Sequence, residues 1–282
     1  METQIVVSTA AFDGYDYSVS LREISRLGVS LVEFAFIEGY TDPFTDDYFI
    51  GKNARAISSL LDENGLTCLG FSAHIDLSQE GAADRFSRRM DFAKSLGARF
   101  IISNAAPAER ESRFMTNIAK LARLADLLDM DIALENPGDG RSNILDRGAQ
   151  AKRVIEKIGS DRVRINYDFG NLISHLFERV RPEIDYKDAL PYISYFHIKD
   201  VASDEQGWYF TEIGKGEIDY RAVLNELKLL PECLPVSLEI PLRIRRGKDA
   251  LPLRKSSPVE LERIIEVLEN SVRFVRDILD MT

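Results

Sequence analysis

Four residues with metal-binding side chains stand at intervals along the second half of the chain. Glu135, Asp168, His197 and Glu239 are 33, 29 and 42 residues apart, and each comes at the end of a short apolar run. Three carboxylates and one imidazole suit Mn²⁺, Mg²⁺ or Co²⁺, with Zn²⁺ as a further choice. Any one of these carboxylates could instead pair with a lysine or cap a helix. Four in succession predict a site for one divalent metal ion, with Mn²⁺ as the first choice.

The elements that must position these residues alternate between short β-rich runs and longer segments of helical period, which is typical of βα units around a parallel sheet. Eight strands are predicted: Ile5–Ser8, Leu31–Phe36, Leu66–Phe71, Arg99–Ser103, Asp131–Glu135, Val163–Asp168, Ile193–His197 and Pro235–Ile240. The predicted helices are Val19–Leu27, Asn53–Asn64, Ala82–Leu96, Arg113–Leu128, Ala149–Ile158, a shorter pair across Leu172–Leu190, Tyr220–Leu229 and Pro258–Leu279. The pattern predicts one α/β domain over residues 1–282, a (β/α)8 TIM barrel whose chemistry lies where the strands end.

Local signals agree with this division of the chain. Glycines end four of the predicted helices, at Gly28, Gly65, Gly97 and Gly159, where a left-handed residue closes the last turn. Asp219 is placed to cap the seventh helix. An open doubly wound sheet would more often show a GxGxxG turn after the first strand, and none is present there.

Composition narrows the class of protein. The chain has 282 residues, 45% of them apolar, and a net charge of −10. Its apolar stretches are far shorter than the ~20 residues of a membrane span, and its start lacks the pattern of a signal peptide, so we expect a cytoplasmic chain with no membrane partner. Cys68 and Cys233 form no disulfide framework or zinc ribbon. The acidic balance argues against nucleic acid and favours a small-molecule substrate.

The order and spacing of the motifs resemble the sugar phosphate isomerase/epimerase superfamily, whose barrel is xylose-isomerase-like. The resemblance spans nearly the whole chain and rests on four short segments: Val32-Glu33-Phe34, Phe196-His197-Ile198-Lys199-Asp200, Ile213-Gly214-Lys215-Gly216-Glu217-Ile218-Asp219 and Ser237-Leu238-Glu239-Ile240. It implies a TIM barrel with a mononuclear metal site on the Glu, Asp, His and Glu identified above. Members include ketose 3-epimerases, hydroxypyruvate isomerase, inosose dehydratase, dehydroshikimate dehydratase and, more distantly, the zinc enzyme endonuclease IV. Relatives often pair through barrel faces, which makes a homodimer or homotetramer an expectation.

The residues also suggest a reaction. A divalent ion that holds the carbonyl and adjacent hydroxyl of a ketose acidifies the neighbouring C–H and stabilises the enediolate. Inversion needs proton transfer on both faces of that planar species, and the ends of strands five and eight approach from different sides, so Glu135 and Glu239 are the predicted acid/base pair. Lys199 lies two residues beyond His197 and is predicted to point to the same mouth. It could contact substrate or protonate a leaving group, or instead pair with Asp200 or Glu33.

The predicted function is therefore a metal-dependent isomerase or epimerase of a keto-sugar, sugar acid or sugar phosphate. A lyase or dehydratase with the same site is the alternative, and a barrel that only binds sugar is the non-enzymatic alternative. An endonuclease IV-like DNA repair enzyme is a remote one, because Asn104 and Asn171 stand where its additional histidines would be expected. Ketose 3-epimerases carry Glu and Arg where this chain has Arg141 and Ser203. Arg141 in place of Glu would suit an anionic or more oxidised substrate. The other interpretation is that Arg141 lies on a loop and faces solvent.

Substrate-binding candidates besides Arg141 lie near the ends of other strands. His74 ends the third strand, where it would contact substrate or hydrogen-bond to residues at the rim of the barrel. Asn171 lies three residues after Asp168. Arg243 opens a strongly basic segment, residues 243–255, that could clamp an anion, close as a lid or form a solvated face. Trp208 belongs to an aromatic loop that could stack on a sugar ring or form a subunit contact. Residues 214–219 are read as a tight turn in preference to a phosphate site.

Overall fold

The computed structural model describes residues 4–175 and 180–280, and eight of its strands close into a parallel barrel. The strands in chain order are β1 Ile5–Ser8, β2 Leu31–Ala35, β3 Thr67–Ser72, β4 Phe100–Asn104, β5 Asp131–Glu135, β6 Val163–Asp168, β7 Ile193–Ile198, β8 Asp200–Asp204, β9 Gly207–Thr211, β10 Val236–Leu238, β11 Ile244–Arg246 and β12 Pro252–Arg254. Neighbours around the barrel follow the order β1-β10-β7-β6-β5-β4-β3-β2. The predicted (β/α)8 barrel is confirmed.

Helices surround the barrel and connect its strands. They are α1 Tyr17–Arg26, α2 Gly51–Asn64, α3 Ala82–Ser95, α4 Glu111–Leu128, α5 Gly148–Ile158, α6 Phe169–His175, α7 Pro182–Ala189, α8 Tyr220–Leu227 and α9 Leu261–Leu279. The middle of the helical pair predicted across Leu172–Leu190, residues 176–179, lies outside the described residues. Among the described residues, none of the helices has the length and apolarity needed to cross a membrane.

The predicted helix ends and the predicted cap are observed. The four glycines predicted to end helices all have positive φ. The Asp219 side chain caps α8 by accepting a hydrogen bond from the Ala222 amide. These local signals therefore agree with the boundaries that the tertiary structure uses.

The barrel interior explains why polar residues gather at one end. Side chains two apart on a strand share a face, so Leu31, Ala133 and Tyr195 point inward one level below the acidic and histidine side chains that follow them on β2, β5 and β7. Those three residues belong to a compact apolar cluster, with Val6, Leu69, Phe100 and Ile102. A much larger apolar layer packs the helices against the outside of the strands. The interior is therefore apolar at the level of these residues and polar one level above, at the carboxyl ends of the strands.

Two segments predicted as loops form strands instead. Residues after β7 fold into the hairpin β8–β9, and residues after β10 fold into the hairpin β11–β12. Together they make a four-stranded antiparallel sheet in the order β12-β11-β9-β8. Trp208 lies opposite Arg246 in the pairing of β9 with β11, and Tyr209 lies opposite Arg245. The basic segment and the aromatic loop are thus one structure, and the alternation of β11 sends its two arginines to opposite faces.

Candidate active site

The four predicted ligands converge at the mouth of the barrel. Glu135, Asp168, His197 and Glu239 each offer an atom within 4.8 Å of the others, and all four residues are buried. His197 Nδ1 lies 2.9 Å from Glu135 Oε2, 3.4 Å from Glu239 Oε2 and 3.7 Å from Asp168 Oδ2. Four strand ends that are distant in sequence therefore form one compact cluster.

The other nitrogen of His197 is held by Glu33. His197 Nε2 lies 2.8 Å from Glu33 Oε2, and Ser72 Oγ donates to Glu33 Oε1 at 3.1 Å. Burial alone would raise the pKa of Glu33, yet His197 outweighs burial and holds that pKa at about 2. An ionised Glu33 accepts a hydrogen bond from Nε2–H, which leaves Nδ1 as the nitrogen available to a metal ion, the usual arrangement of a metal-binding histidine with a carboxylate behind it.

Glu135 is held by two side-chain amides. Asn166 Nδ2 donates to Oε2 at 2.7 Å, and Asn171 Nδ2 donates to Oε1 at 2.8 Å. Burial would raise the pKa of Glu135, but His197 and His74 lower it below its ordinary value. The backbone amide of Asn171 also donates to Asp168 Oδ1 at 2.8 Å. Asn171 thus positions two of the four candidate ligands.

Lys199 lies beside the cluster. Its Nζ is 2.7 Å from Asp168 Oδ2 and 2.5 Å from Glu239 Oε2. The predicted alternative partners, Asp200 and Glu33, are therefore not the ones it uses. Burial would lower the pKa of Lys199, but Asp168 and Glu239 outweigh burial and raise it well above its usual range. Lys199 is a buried cation that compensates part of the negative charge of the site.

The donor set fits a divalent cation. With Nε2 protonated toward Glu33, Nδ1 of His197 and the nearby carboxylate oxygens are all acceptors that face one another, which is unfavourable unless positive charge lies among them. Glu239 Oε1 and His197 Nδ1 are buried without a hydrogen-bond partner among the described residues. Burial would lower the pKa of His197, yet Glu33, Glu239 and Glu135 raise it well above its ordinary value. These carboxylates favour a positive charge at Nδ1, which either a proton or a divalent ion can supply.

A small cavity opens directly above the cluster. Its volume is about 230 Å³, below the range of roughly 300–1,000 Å³ typical of sites for larger ligands. The residues that line it are Ile37, Glu38, Tyr40, His74, Ile75, Asp76, Asn104, Glu135, Pro137, Asn171, Lys199, Glu239 and Arg246. Both glutamates predicted as the acid/base pair therefore reach the same small space.

The structure brings some of the predicted substrate-binding residues to this cavity and places others elsewhere. His74 and Asn171 line it, and His74 Nδ1 lies 3.2 Å from Asn104 Oδ1. Arg141 is exposed on the loop after β5, and Trp208 is partly buried on β9; neither is part of the lining. Their predicted substrate contacts stay predictions.

Arg243 has a different position from the one expected. Its guanidinium lies 3.2 Å from Asp13 and 3.4 Å from Asp42, and it also donates to the carbonyls of Lys255 and Ser256. It is not part of the cavity lining. These bonds tie the segment after β10 to the segments after β1 and β2, and the predicted substrate contact of Arg243 stays a prediction.

The predicted glycine-rich turn binds the side-chain carboxylate of Asp200. The amides of Gly214 and Gly216 donate to Asp200 Oδ2 at 2.8 and 2.9 Å, and that of Ile218 donates to Oδ1 at 3.3 Å. A Cβ on Gly216 would come within 2.2 Å of this carboxylate. The turn is filled by Asp200, which agrees with a tight turn and leaves no room for phosphate.

The sequence analysis did not single out Glu33, Asn166 or Arg246 as a site residue, and it included Arg246 only as part of the basic segment 243–255 that could clamp an anion. The sequence does contain a signal for Glu33 and Asn166, because a polar residue between apolar residues of a buried strand needs a buried partner. Glu33 stands between Val32 and Phe34, and Asn166 between Ile165 and Tyr167. Arg246 had no such signal, since only the pairing of β11 shows which arginine of the basic segment turns inward.

A closed (β/α)8 barrel with a buried carboxylate and histidine cluster at the ends of its strands defines the class: a TIM barrel with a candidate metal centre at its mouth. The family model of the xylose isomerase-like TIM barrel matches residues 21–269, and the chain belongs to this family. The resemblance drawn from the motifs is confirmed.

Comparison with individual proteins adds the kind of enzyme. A ketose 3-epimerase from Arthrobacter globiformis is 25% identical over 253 residues, which cover 83% of this chain and 81% of the relative. The structure of D-psicose 3-epimerase with D-tagatose from Clostridium cellulolyticum H10 has a TM-score of 0.75 at 13% identity and covers 100% of both chains. A probable 3-DHS dehydratase from Bacillus anthracis has a TM-score of 0.68 at 13% identity, covering 96% of this chain and 98% of that one. The comparisons favour a sugar-modifying enzyme, an isomerase or epimerase before a lyase.

Proposed function

We propose that the protein is a divalent-metal-dependent isomerase or epimerase of a small keto-sugar, sugar acid or sugar phosphate. The observation that carries the proposal is the position of Glu135 and Glu239, which line one small cavity and belong to the cluster beneath it. The likeness to a ketose 3-epimerase supports the same reaction class. Mn²⁺ remains the first choice of ion, with Mg²⁺, Co²⁺ and Zn²⁺ as alternatives.

Glu135, Asp168, His197 and Glu239 would hold the ion. When bound, a divalent ion polarises the carbonyl of a ketose and so acidifies the neighbouring C–H. The residues around it supply the proton transfer. One glutamate, as the carboxylate, removes the proton to leave a planar enediolate. The other, carrying a proton, returns it to the opposite face of the same carbon, which inverts that carbon. Protonation of the neighbouring carbon, with its hydroxyl proton passing to the first oxygen, instead moves the carbonyl.

The arrangement of the two glutamates suits this division of work. Their strands β5 and β10 are separated by β6 and β7 around the barrel, so the carboxylates enter the cavity from different directions. Both oxygens of Glu135 accept hydrogen bonds from asparagine amides, whereas Glu239 Oε1 has no hydrogen-bond partner among the described residues. Glu239 Oε1 is accordingly the atom best placed to take the substrate proton, and Glu135 acts from the opposite side.

Lys199 supports a second reaction class. Its ammonium lines the cavity next to Glu239, where it can hydrogen-bond a substrate oxygen or give a proton to a leaving hydroxyl. In the second case the enediolate would expel a β-substituent, and the protein would be a lyase or dehydratase. Both reactions begin with the same proton abstraction and differ in the next step.

Proton exchange in D₂O tests the proposal directly. Protein loaded with Mn²⁺ is incubated with D-fructose, D-psicose, a keto-hexuronate and D-fructose 6-phosphate, and products are followed by NMR and mass. A deuterated isomer supports the isomerase, and loss of water from the substrate supports the lyase. Glu239→Gln should abolish exchange, while the exposed Glu217→Gln should not. If the metal-loaded protein exchanges no proton in any of these compounds, the proposed function is wrong.

A further inference from the structure

Arg246 lines the mouth cavity as a buried cation, only 4% exposed. Its Nη1 donates to the carbonyls of Gly138 at 3.1 Å and Ala250 at 2.8 Å. Its Nε has no hydrogen-bond partner, and within the described ranges no carboxylate lies at ion-pair distance from its guanidinium. A charge taken out of water without a counter-ion is costly, so this position favours an anion that the chain itself does not supply.

The neighbouring basic residues are compensated or exposed. Arg243 and Arg254 both pair with Asp13 and Asp42. Arg245 is on the opposite face of β11, where it pairs with Asp204 and lies over the ring of Tyr209. Lys248 and Lys255 are exposed. Of the whole basic segment, only Arg246 turns its charge to the cavity.

The two acidic wall residues outside the candidate metal centre, Glu38 and Asp76, are paired with other arginines. Glu38 pairs with Arg85 and Arg89, and Asp76 pairs with Arg110. Lys199 is paired with two carboxylates of the cluster. Glu38 and Asp76 are therefore held by other arginines, and Glu135 and Glu239 belong to the candidate metal centre, so none of the four pairs with Arg246.

Two further polar atoms of the wall accept or donate no hydrogen bond within the described part of the chain, although His74 Nε2 lies 3.6 Å from Glu135 Oε2. His74 Nε2 and Tyr40 Oη are buried without a hydrogen bond among the described residues, and both residues line the cavity with Arg246. The Arg246 guanidinium lies 5.2 Å from the centre of the Tyr40 ring, a contact that orients it. The cavity lining thus offers several groups able to bind an oxygen-rich anion, which is the chemistry of a carboxylate or phosphate.

We propose that Arg246 binds an anionic group of the substrate, so that the protein acts on a monosaccharide-sized keto-sugar acid or sugar phosphate in preference to a neutral ketose. This inference rests on the proposed isomerase function, whose cavity it shares. Burial lowers the pKa of Arg246 to about 9, which still leaves the guanidinium charged at neutral pH. The cavity of about 230 Å³ admits one small sugar rather than a chain of them.

The test compares three variants on acidic and neutral substrates. D-Fructuronate and D-tagaturonate carry the carboxylate, D-fructose 6-phosphate and D-ribulose 5-phosphate carry the phosphate, and D-fructose and D-psicose are the neutral counterparts. Arg246→Gln should lower kcat/KM for the acidic compounds about 10- to 100-fold, as expected for loss of a charged hydrogen bond, with little change for neutral ones. Arg246→Lys should recover part of the loss. Arg245→Gln, with the same charge change on the other face of the strand, is the matched control and should behave like the parent protein.

The outcomes separate this inference from the proposed function. If the parent protein prefers neutral ketoses, or if Arg246→Gln lowers activity equally on both groups, the anion site is wrong while the isomerase stands. If no compound is turned over, isothermal titration of inorganic phosphate and glycolate into chelator-treated protein decides the matter. Binding that Arg246→Gln removes supports the anion site without the reaction. Equal binding by both proteins, or no binding by either, overturns it.

Discussion

His197 Nε2 and Glu33 Oε2 lie 2.8 Å apart in the fully buried interior of the barrel, although 164 residues separate them in the chain. The contact determines which imidazole nitrogen faces the candidate metal centre. It also links β2, whose residues take no direct part in the four-residue cluster, to the geometry of that cluster. Glu33 is therefore a positioning residue.

Removing the Glu33 charge should weaken metal binding. Glu33→Gln is expected to lower Mn²⁺ affinity about 10- to 100-fold, the usual effect of losing a carboxylate behind a metal-binding histidine, as measured by isothermal titration. Glu23→Gln is the matched control, because Glu23 is also buried but pairs with Arg22 and Arg26 on α1. Unchanged affinity in Glu33→Gln would show that His197 needs no support from β2.

Metal binding should stabilise the folded protein. At a free Mn²⁺ concentration 100 times the dissociation constant, the free energy of unfolding should rise by about 2.7 kcal/mol, seen as a higher melting temperature that EDTA reverses. Asp168→Asn should reduce this shift strongly, while the exposed Glu217→Gln should retain it. A shift of equal size in all three proteins would place the ion outside the cluster.

Loss of Lys199 should separate catalysis from metal binding. Lys199→Met removes a cation from Asp168 and Glu239, so the affinity for Mn²⁺ should stay equal or increase. The kcat should fall about 100-fold, in the range expected for a positioned proton-transfer or hydrogen-bonding group. Isothermal titration and steady-state kinetics give the two quantities. A variant that loses metal and activity together would assign Lys199 to the structure of the cluster alone.

Gly170 makes room for Lys199. A Cβ at this position would come within 2.5 Å of Lys199 Cγ and 2.7 Å of its carbonyl oxygen. Gly170→Ala should therefore displace Lys199 and lower kcat by about the same factor as Lys199→Met. Gly51→Ala is the control, because its Cβ would meet only the flexible end of Arg55, at 3.3 Å. Full activity in Gly170→Ala would mean that β7 can shift without cost to the site.

The ion pairs of Asp46 with Arg85 and Arg89 should make an acid-sensitive contribution to stability. Asp46 accepts hydrogen bonds from Arg85 and from the buried Arg89, and although burial acts to raise the pKa of Asp46, these arginines lower it below its ordinary value of 3.8. Because the folded-state pKa is the lower one, the stabilisation is complete above about pH 4 and is lost as pH falls through the folded-state pKa.

Asp46→Asn tests this ion pair. The variant should lose up to about 3 kcal/mol at pH 7, since it leaves Arg89 buried with a weaker partner. The difference from the parent protein should shrink as pH falls below 4, as followed by urea unfolding at several pH values. Asp62→Asn, on the outer part of α2, is the control. A difference that stays constant with pH would exclude the ion pair as its cause.

The order of residues along the chain was sufficient to predict the barrel and the four strand-end residues that form the candidate metal centre. Periodicity located each βα unit, and the ends of parallel strands must meet at one mouth, so Glu135, Asp168, His197 and Glu239 could be grouped from their positions in the chain alone. Glycine positions also indicated where several helices end, because a left-handed residue is needed there.

Which further side chains reach the site depended on the three-dimensional packing of the chain. Arg243 and Arg246 are three residues apart in one basic segment, yet the first pairs with Asp13 and Asp42 and the second faces the cavity. That difference depends on the pairing of β11 with β9, a long-range register that the local pattern of charges does not contain. The contact of Glu33 with His197 has the same origin, since closure of the barrel alone brings β2 and β7 to the same interior.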